Sequence, residues 1–227
     1  MIDLIVILIL IIFATFGYKR GLIRSVITLC SSIVALVLSF IVYPAINMFL
    51  KLTPLYTSVY EGVFKKIEAI DFGKGIQSQG EAILENITWL PQFLTLQIKN
   101  NNNTAMYELL GVKTIQEYIS IYIANMIISL IAILITWFLL KIVLVVVLRA
   151  LGSIIEHLPV ISSFNHGSGL IFGLVKGALT LSVIGLIIPV FITLPGFQDI
   201  SQSIEASILT KWMYDNNFIL LIYNYLI

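Results

Sequence analysis

Lys176 is the residue whose type and position could do the most chemistry. It is an ammonium about nine residues, roughly 13 Å, into the apolar stretch from Gly167 to Phe191. In hydrocarbon such a group must face water, pair with an acid or carbonyls, or extend its stem to the interface. Asn165 and Ser168 precede it on the same stretch, and Asp3 is the acid expected near another apolar run. Asp3, Lys176, Asn165 and Ser168 therefore form a possible intramembrane polar site, the kind that lines an ion or solute path in an oligomer. A direct Asp3 to Lys176 pair needs the first apolar run to tilt or shift inward, because the two start near opposite faces.

Other reactive groups are sparse. His157 and His166 flank one turn with Glu156 nearby, too few ligands at too wide a spacing for a metal centre. The sequence has no GxSxG, HExxH or phosphate-binding loop, and no paired carboxylates within the apolar runs, so no enzyme activity and no cofactor is expected. Its single cysteine, Cys30, sits in an apolar run and has no internal partner. No basic patch exceeds the three cations of one short turn, which argues against nucleic acid.

The elements that must position these residues follow from composition. The chain is 59% apolar and 11% charged, against about 25% charged in soluble domains. That is a membrane composition. Four stretches approach the roughly 20 residues needed to cross a bilayer: Ile2 to Phe16 with Tyr18 at the interface, Leu22 to Tyr43 ending at Pro44, Tyr118 to about Leu148, and Gly167 to Phe191. Asp3 stands where a signal peptide would carry basic residues, so the first stretch is expected to be retained as a span.

All three arginines fall in two short connections: Arg20 and Arg24 in GYKRGLIR, Gly17 to Arg24, and Arg149 between the third and fourth stretches. The positive-inside rule places both connections in the cytoplasm. Gly17, Lys19, Arg20, Gly21 and Arg24 then make a tight cytoplasmic turn whose cations fix orientation and can meet anionic lipid heads. Lys51 to Glu117 carries six lysines against seven acids and no arginine, and the tail after Phe191 one lysine against three acids. Both are expected outside, with both termini.

The expected fold is all-α, a polytopic integral membrane protein of four transmembrane helices plus extracytoplasmic amphipathic helices. Residues 1–50 form a first transmembrane hairpin, 51–117 an extracytoplasmic amphipathic segment, 118–192 a second hairpin and 193–227 an interfacial tail. In 51–117, Val59, Tyr60, Val63, Phe64, Ile67 and Ile70 oppose Glu61, Lys65, Lys66 and Glu68 at helical spacing, and residues 79–96 repeat the pattern. These helices either lie on the outer surface or pack against each other. Asn100 to Asn103 is a turn. In the tail, Ile200, Ile204, Ile208 and Trp212 make an i, i+4 stripe, and FILLIYNYLI is too short to span.

Gly169, Gly173 and Gly177 recur every fourth residue and predict a helix-packing groove that admits another backbone, within the chain or between copies. Met-Ile-Asp3 with the following apolar run, Phe13 to Gly21, and Leu158-Pro159 with Asn165, Gly169, Gly173 and Lys176-Gly177 together resemble the colicin V production protein (CvpA) family, over roughly 1–45 and 118–192. That resemblance implies a bacterial plasma-membrane protein with four spans, an accessory factor for toxin (bacteriocin) production or secretion and for the cell envelope, with no catalytic residues to carry over. Its partners would be membrane lipids and other copies of itself or secretion and envelope proteins. The alternative is a small oligomeric channel or transporter that uses Lys176.

Overall fold

The computed structural model describes residues 2–90, 92–150, 162–193, 198–217 and 219; Glu156, His157, Leu158-Pro159 and most of the last ten residues lie outside them. Among the described residues the secondary structure is helical, with no strand. The helices are α1 (Ile2–Lys51), α2 (Pro54–Ile67), α3 (Ile76–Asn86), α4 (Gln92–Asn100), α5 (Thr104–Leu110), α6 (Ile115–Ala150), α7 (Ser162–Gly185), α8 (Ile188–Thr193), α9 (Gln198–Glu205) and α10 (Leu209–Asp215). Three of them are long and apolar enough to cross a membrane: α1, α6 over Ile115–Val147 and α7 over Asn165–Gly185.

The first two expected spans both fall in α1, whose helical geometry is interrupted at Gly21 (φ 76°, ψ 175°). That backbone region belongs almost wholly to glycine. The Ser25 hydroxyl donates to the Gly17 carbonyl at 3.2 Å. In an unbroken helix those residues would stand about 12 Å apart along the axis, so the chain turns sharply between them. α1 is thus two arms, 2–20 and 22–51.

The second arm does not stop at Pro44 but runs on to Lys51. A span tolerates proline where neighbours re-satisfy or shield the freed carbonyl. Just beyond it, Asn47 donates from Nδ2 to the Ser129 hydroxyl at 3.3 Å, which holds the extra turn in place. α7 in turn ends six residues before the expected Phe191. A turn at 186–187 follows Gly185, and Pro189 sits in the first turn of α8, where its missing N–H leaves no bond unmade.

The chain divides into two compact units, one of residues 1–46 and 132–184, the other of 47–131 and 185–227. In the first, the second arm buries Ser25, Leu29, Ser32, Leu36, Ser39 and Tyr43 on one stripe. The small hydroxyls close their own backbone bonds, Ser32 to Thr28 at 2.9 Å and Ser39 to Leu36 at 2.6 Å, so a neighbouring helix can come near. Trp137 of α6 fills that space and donates from Nε1 to the Ser32 carbonyl at 3.2 Å.

The second unit has a core of its own. Val59, Val63, Ile67, Phe72, Ile83, Ile87, Leu94 and Ile98 are all at most 1% exposed, each side chain contributing about 1.5–3 kcal/mol through burial. Tyr118 of α6 is wholly buried, stacks on Tyr107 and donates to the Ile98 carbonyl at 2.7 Å. The helices of 51–117 therefore pack against each other and against α6. The stripe of the tail is interrupted: α9 ends at Glu205, Ile204 is buried, and Ile208 and Trp212 are 87% and 63% exposed.

Candidate functional site

Gly21 can turn the chain only if the helix ends it creates find partners, since each end leaves backbone groups unbonded. Two adjacent residues of α7 supply them. Asn165 Oδ1 accepts the Leu22 N–H at 2.6 Å, capping the start of the second arm from 143 positions away. His166 Nδ1 lies 2.8 Å from the Tyr18 carbonyl at the end of the first arm, and its ring lies 5.2 Å from that of Tyr18. A carbonyl only accepts, so Nδ1 carries the proton. A Cβ on Gly21 would press into the Asn165 amide, so the glycine is required by space as well as by φ.

The glycines of α7 continue the contact. A Cβ on Gly17 would run into the Gly169 carbonyl oxygen and stand 2.7 Å from Gly173 Cα. One on Gly169 would meet Gly21 C at 2.8 Å, one on Gly173 the Phe13 carbonyl oxygen, and one on Gly177 Phe13 Cβ at 3.0 Å. Gly21, Gly17, Phe13 and Leu10 thus face Asn165, Gly169, Gly173 and Gly177 in turn, an antiparallel crossing with backbone against backbone. The groove is filled within the chain by the first arm.

This register separates the four polar residues expected to share a site. Asn165 is committed to the turn, and Lys176 lies eleven residues on, about 16 Å along α7. Asp3 precedes Leu10, the residue facing Gly177, by seven positions, about 10 Å in the other direction. Ser168 is half-buried beside Gly169. The structure brings together Asn165, His166 and the turn, and sets Lys176 and Asp3 farther along their helices, away from Asn165. Of the turn cations, Lys19, Arg20 and Arg24 are exposed, and the Arg20 guanidinium lies 5.7 Å from the Phe16 ring centroid.

Three features escaped the sequence. The contact of His166 with the Tyr18 carbonyl depends on a fold-back that local sequence does not encode. The serines at 25, 32 and 39 carried a usable signal, small polar residues every seventh position in an apolar run. Lys66, expected on the polar face of α2, is half-buried: its ammonium donates to the Ile192 carbonyl at 2.6 Å and lies 5.0 Å from the Trp89 ring centroid. Burial holds its pKa below the ordinary lysine range.

Among known proteins, the family model described as colicin V production protein matches residues 2–70 and 106–216. No curated protein and no solved structure matches the chain. The matched residues include both arms of α1, α6 and α7, with the Gly17–Gly21 turn, Asn165, His166 and the three glycines. They leave out 71–105, a narrower gap than the 51–117 segment in which no motif is visible. With four-fifths of its length inside that match, the chain belongs to the colicin V production protein family.

Proposed function

We propose that this protein is a four-span accessory factor of the bacterial plasma membrane, serving toxin production or secretion and envelope homeostasis by holding partner proteins rather than by turning over a substrate. Each arm of α1 crosses once, so that both termini, 51–117 and 193–227 lie outside and the GYKRG turn inside. Membership of the family carries the reading. Support comes from the use the fold makes of its polar residues: Asn165 and His166 close a turn, and the glycine face is taken up by the first arm. Partner contacts of this particular member are assigned to 71–105, which contains α3 and α4 and lies outside the family match.

The test is a bacteriocin-producing strain lacking its own family member and complemented with this chain. Secreted toxin should return with wild type and with Lys176→Met but not with Gly173→Leu, while intracellular toxin transcript stays constant. A photo-crosslinker at Glu81 or Glu85, both exposed on α3, should trap a membrane or secretion protein. Toxin export that is lost with Lys176→Met, together with ion flux through the purified protein in liposomes, would contradict the accessory role.

A further inference from the structure

A cavity of about 310 Å³ opens in the unit of residues 47–131 and 185–227, lined by α3, α4, α8, α9, α10 and the connection from Ile87 to Leu90. Its inner wall is apolar: Ile87, Leu90, Ile192 and Ile204 are at most 4% exposed. Its mouth is polar, with Thr88, Gln92 and Glu205 exposed and Lys211 and Asp215 half-buried. Two contacts tie the walls together. The Tyr214 hydroxyl lies 3.5 Å from the Trp89 carbonyl. The Lys66 ammonium, which does not line the cavity, bonds the Ile192 carbonyl and lies over the Trp89 ring.

A volume of that size holds about ten waters and stands at the lower end of ligand pockets, roughly 300–1,000 Å³. One molecule the size of an amino acid fills it. The charges at its mouth are unequal. Of this unit's seven lysines only Lys211 lines the cavity, against two carboxylates, Glu205 and Asp215. The Lys211 ammonium lies 3.1 Å from Asp215 Oδ2, and among the described residues Glu205 is in no ion pair. A ligand with one positive group therefore gains a charge-assisted hydrogen bond at Glu205, roughly twice as strong as a neutral one. Its apolar part gains burial against the inner wall.

We propose that this cavity binds an α-amino group joined to an apolar side chain, as in a free branched amino acid or at the N-terminus of a peptide. The side chain enters between Ile87, Leu90, Ile192 and Ile204, and the ammonium meets Glu205 at the mouth. Thr88 and Gln92 supply a hydroxyl and an amide donor for the carbonyl oxygen that follows. A neutral apolar molecule leaves Glu205 without its partner, and a bare amine leaves the inner wall unfilled. The site is independent of any role in toxin export.

The experiment titrates the purified full-length protein in detergent with leucinamide, leucine, the peptide Leu-Gly-Gly, N-acetyl-leucinamide and glycinamide, read by isothermal titration calorimetry and thermal shift. Leucinamide should bind and raise the melting temperature. N-acetyl-leucinamide, which lacks the ammonium, and glycinamide, which lacks the side chain, should each bind about tenfold more weakly or worse. Leucine binding tighter than Leu-Gly-Gly assigns the site to free amino acids, and the reverse assigns it to peptide N-termini; either upholds the ammonium site. Glu205→Gln should weaken leucinamide binding about tenfold and leave the melting temperature of the unliganded protein unchanged, because Glu205 is exposed. Leu84→Trp enlarges a half-buried wall residue and should abolish binding; if it does not fold, Glu205→Gln decides by the same titration. Glu61→Gln, at an exposed acid of α2 that does not line the cavity, should change nothing. Wild type that does not bind leucinamide, equal affinity for leucinamide and N-acetyl-leucinamide, or unchanged affinity in Glu205→Gln would overturn the site.

Discussion

Asn165 and His166 cap two helix ends at once, one accepting the first free N–H of the second arm and the other donating to a last carbonyl of the first. Asn165→Ala should lower stability by about 1–2 kcal/mol, the usual cost of a lost N-cap, and Asn165→Asp should keep most of it because the acceptor oxygen remains. Thermal unfolding in detergent measures both. A conduction site at Asn165 would instead leave stability unchanged. Lys66 gives a pH dependence of definite sign. Burial lowers its pKa in the folded state, so the unfolded chain binds more protons between that value and the ordinary lysine pKa. Stability from this group is therefore weakest at neutral pH and rises with pH through that alkaline window. Unfolding midpoints of wild type should climb there relative to Lys66→Met; a constant difference between the two across pH 7–10 would count against the buried ammonium.

At the level of elements, the crossing of α7 with the first arm depends on backbone approach, which makes the outcome of alanine substitutions position-specific. Gly173→Ala places its Cβ against the Phe13 carbonyl and 3.0 Å from Gly17 Cα, whereas a Cβ on Gly167 meets nothing within 4 Å. Gly173→Ala should lose most folded monomer on size-exclusion chromatography, and Gly167→Ala should elute as wild type. In the other unit, Ile83→Ala removes a fully buried side chain and should cost about 2–5 kcal/mol, seen as a lower melting temperature. The periodic features were legible in sequence: the apolar runs, the glycine spacing and the buried face of α2 at Val59, Val63 and Ile67. What depended on distant partners was not. Pro44 is a local stop signal overridden within a longer helix, and Asn165 meets Leu22 across 143 positions, a pairing that no window of sequence contains.

Across the whole molecule, charge divides along the same boundary as packing. Residues 1–46 and 132–184 carry six Lys and Arg against two acids, and 47–131 with 185–227 carry seven against ten. In the proposed four-span topology the arginine-bearing turns would lie inside and the acidic segments outside, the distribution that the positive-inside rule produces. The central claim is that Gly21 reverses the chain, so that the two arms of α1 cross the bilayer in opposite directions. A single 50-residue crossing would instead put residue 2 and residue 74 on opposite sides. The measurement is cysteine labelling in intact and permeabilised cells, in a Cys30→Ser background, with one cysteine in place of Ile2, Lys19 or Lys74. The account predicts that the cysteines at 2 and 74 react with an impermeant maleimide in intact cells and the one at 19 only after permeabilisation; labelling of 2 and 74 from opposite sides would contradict it.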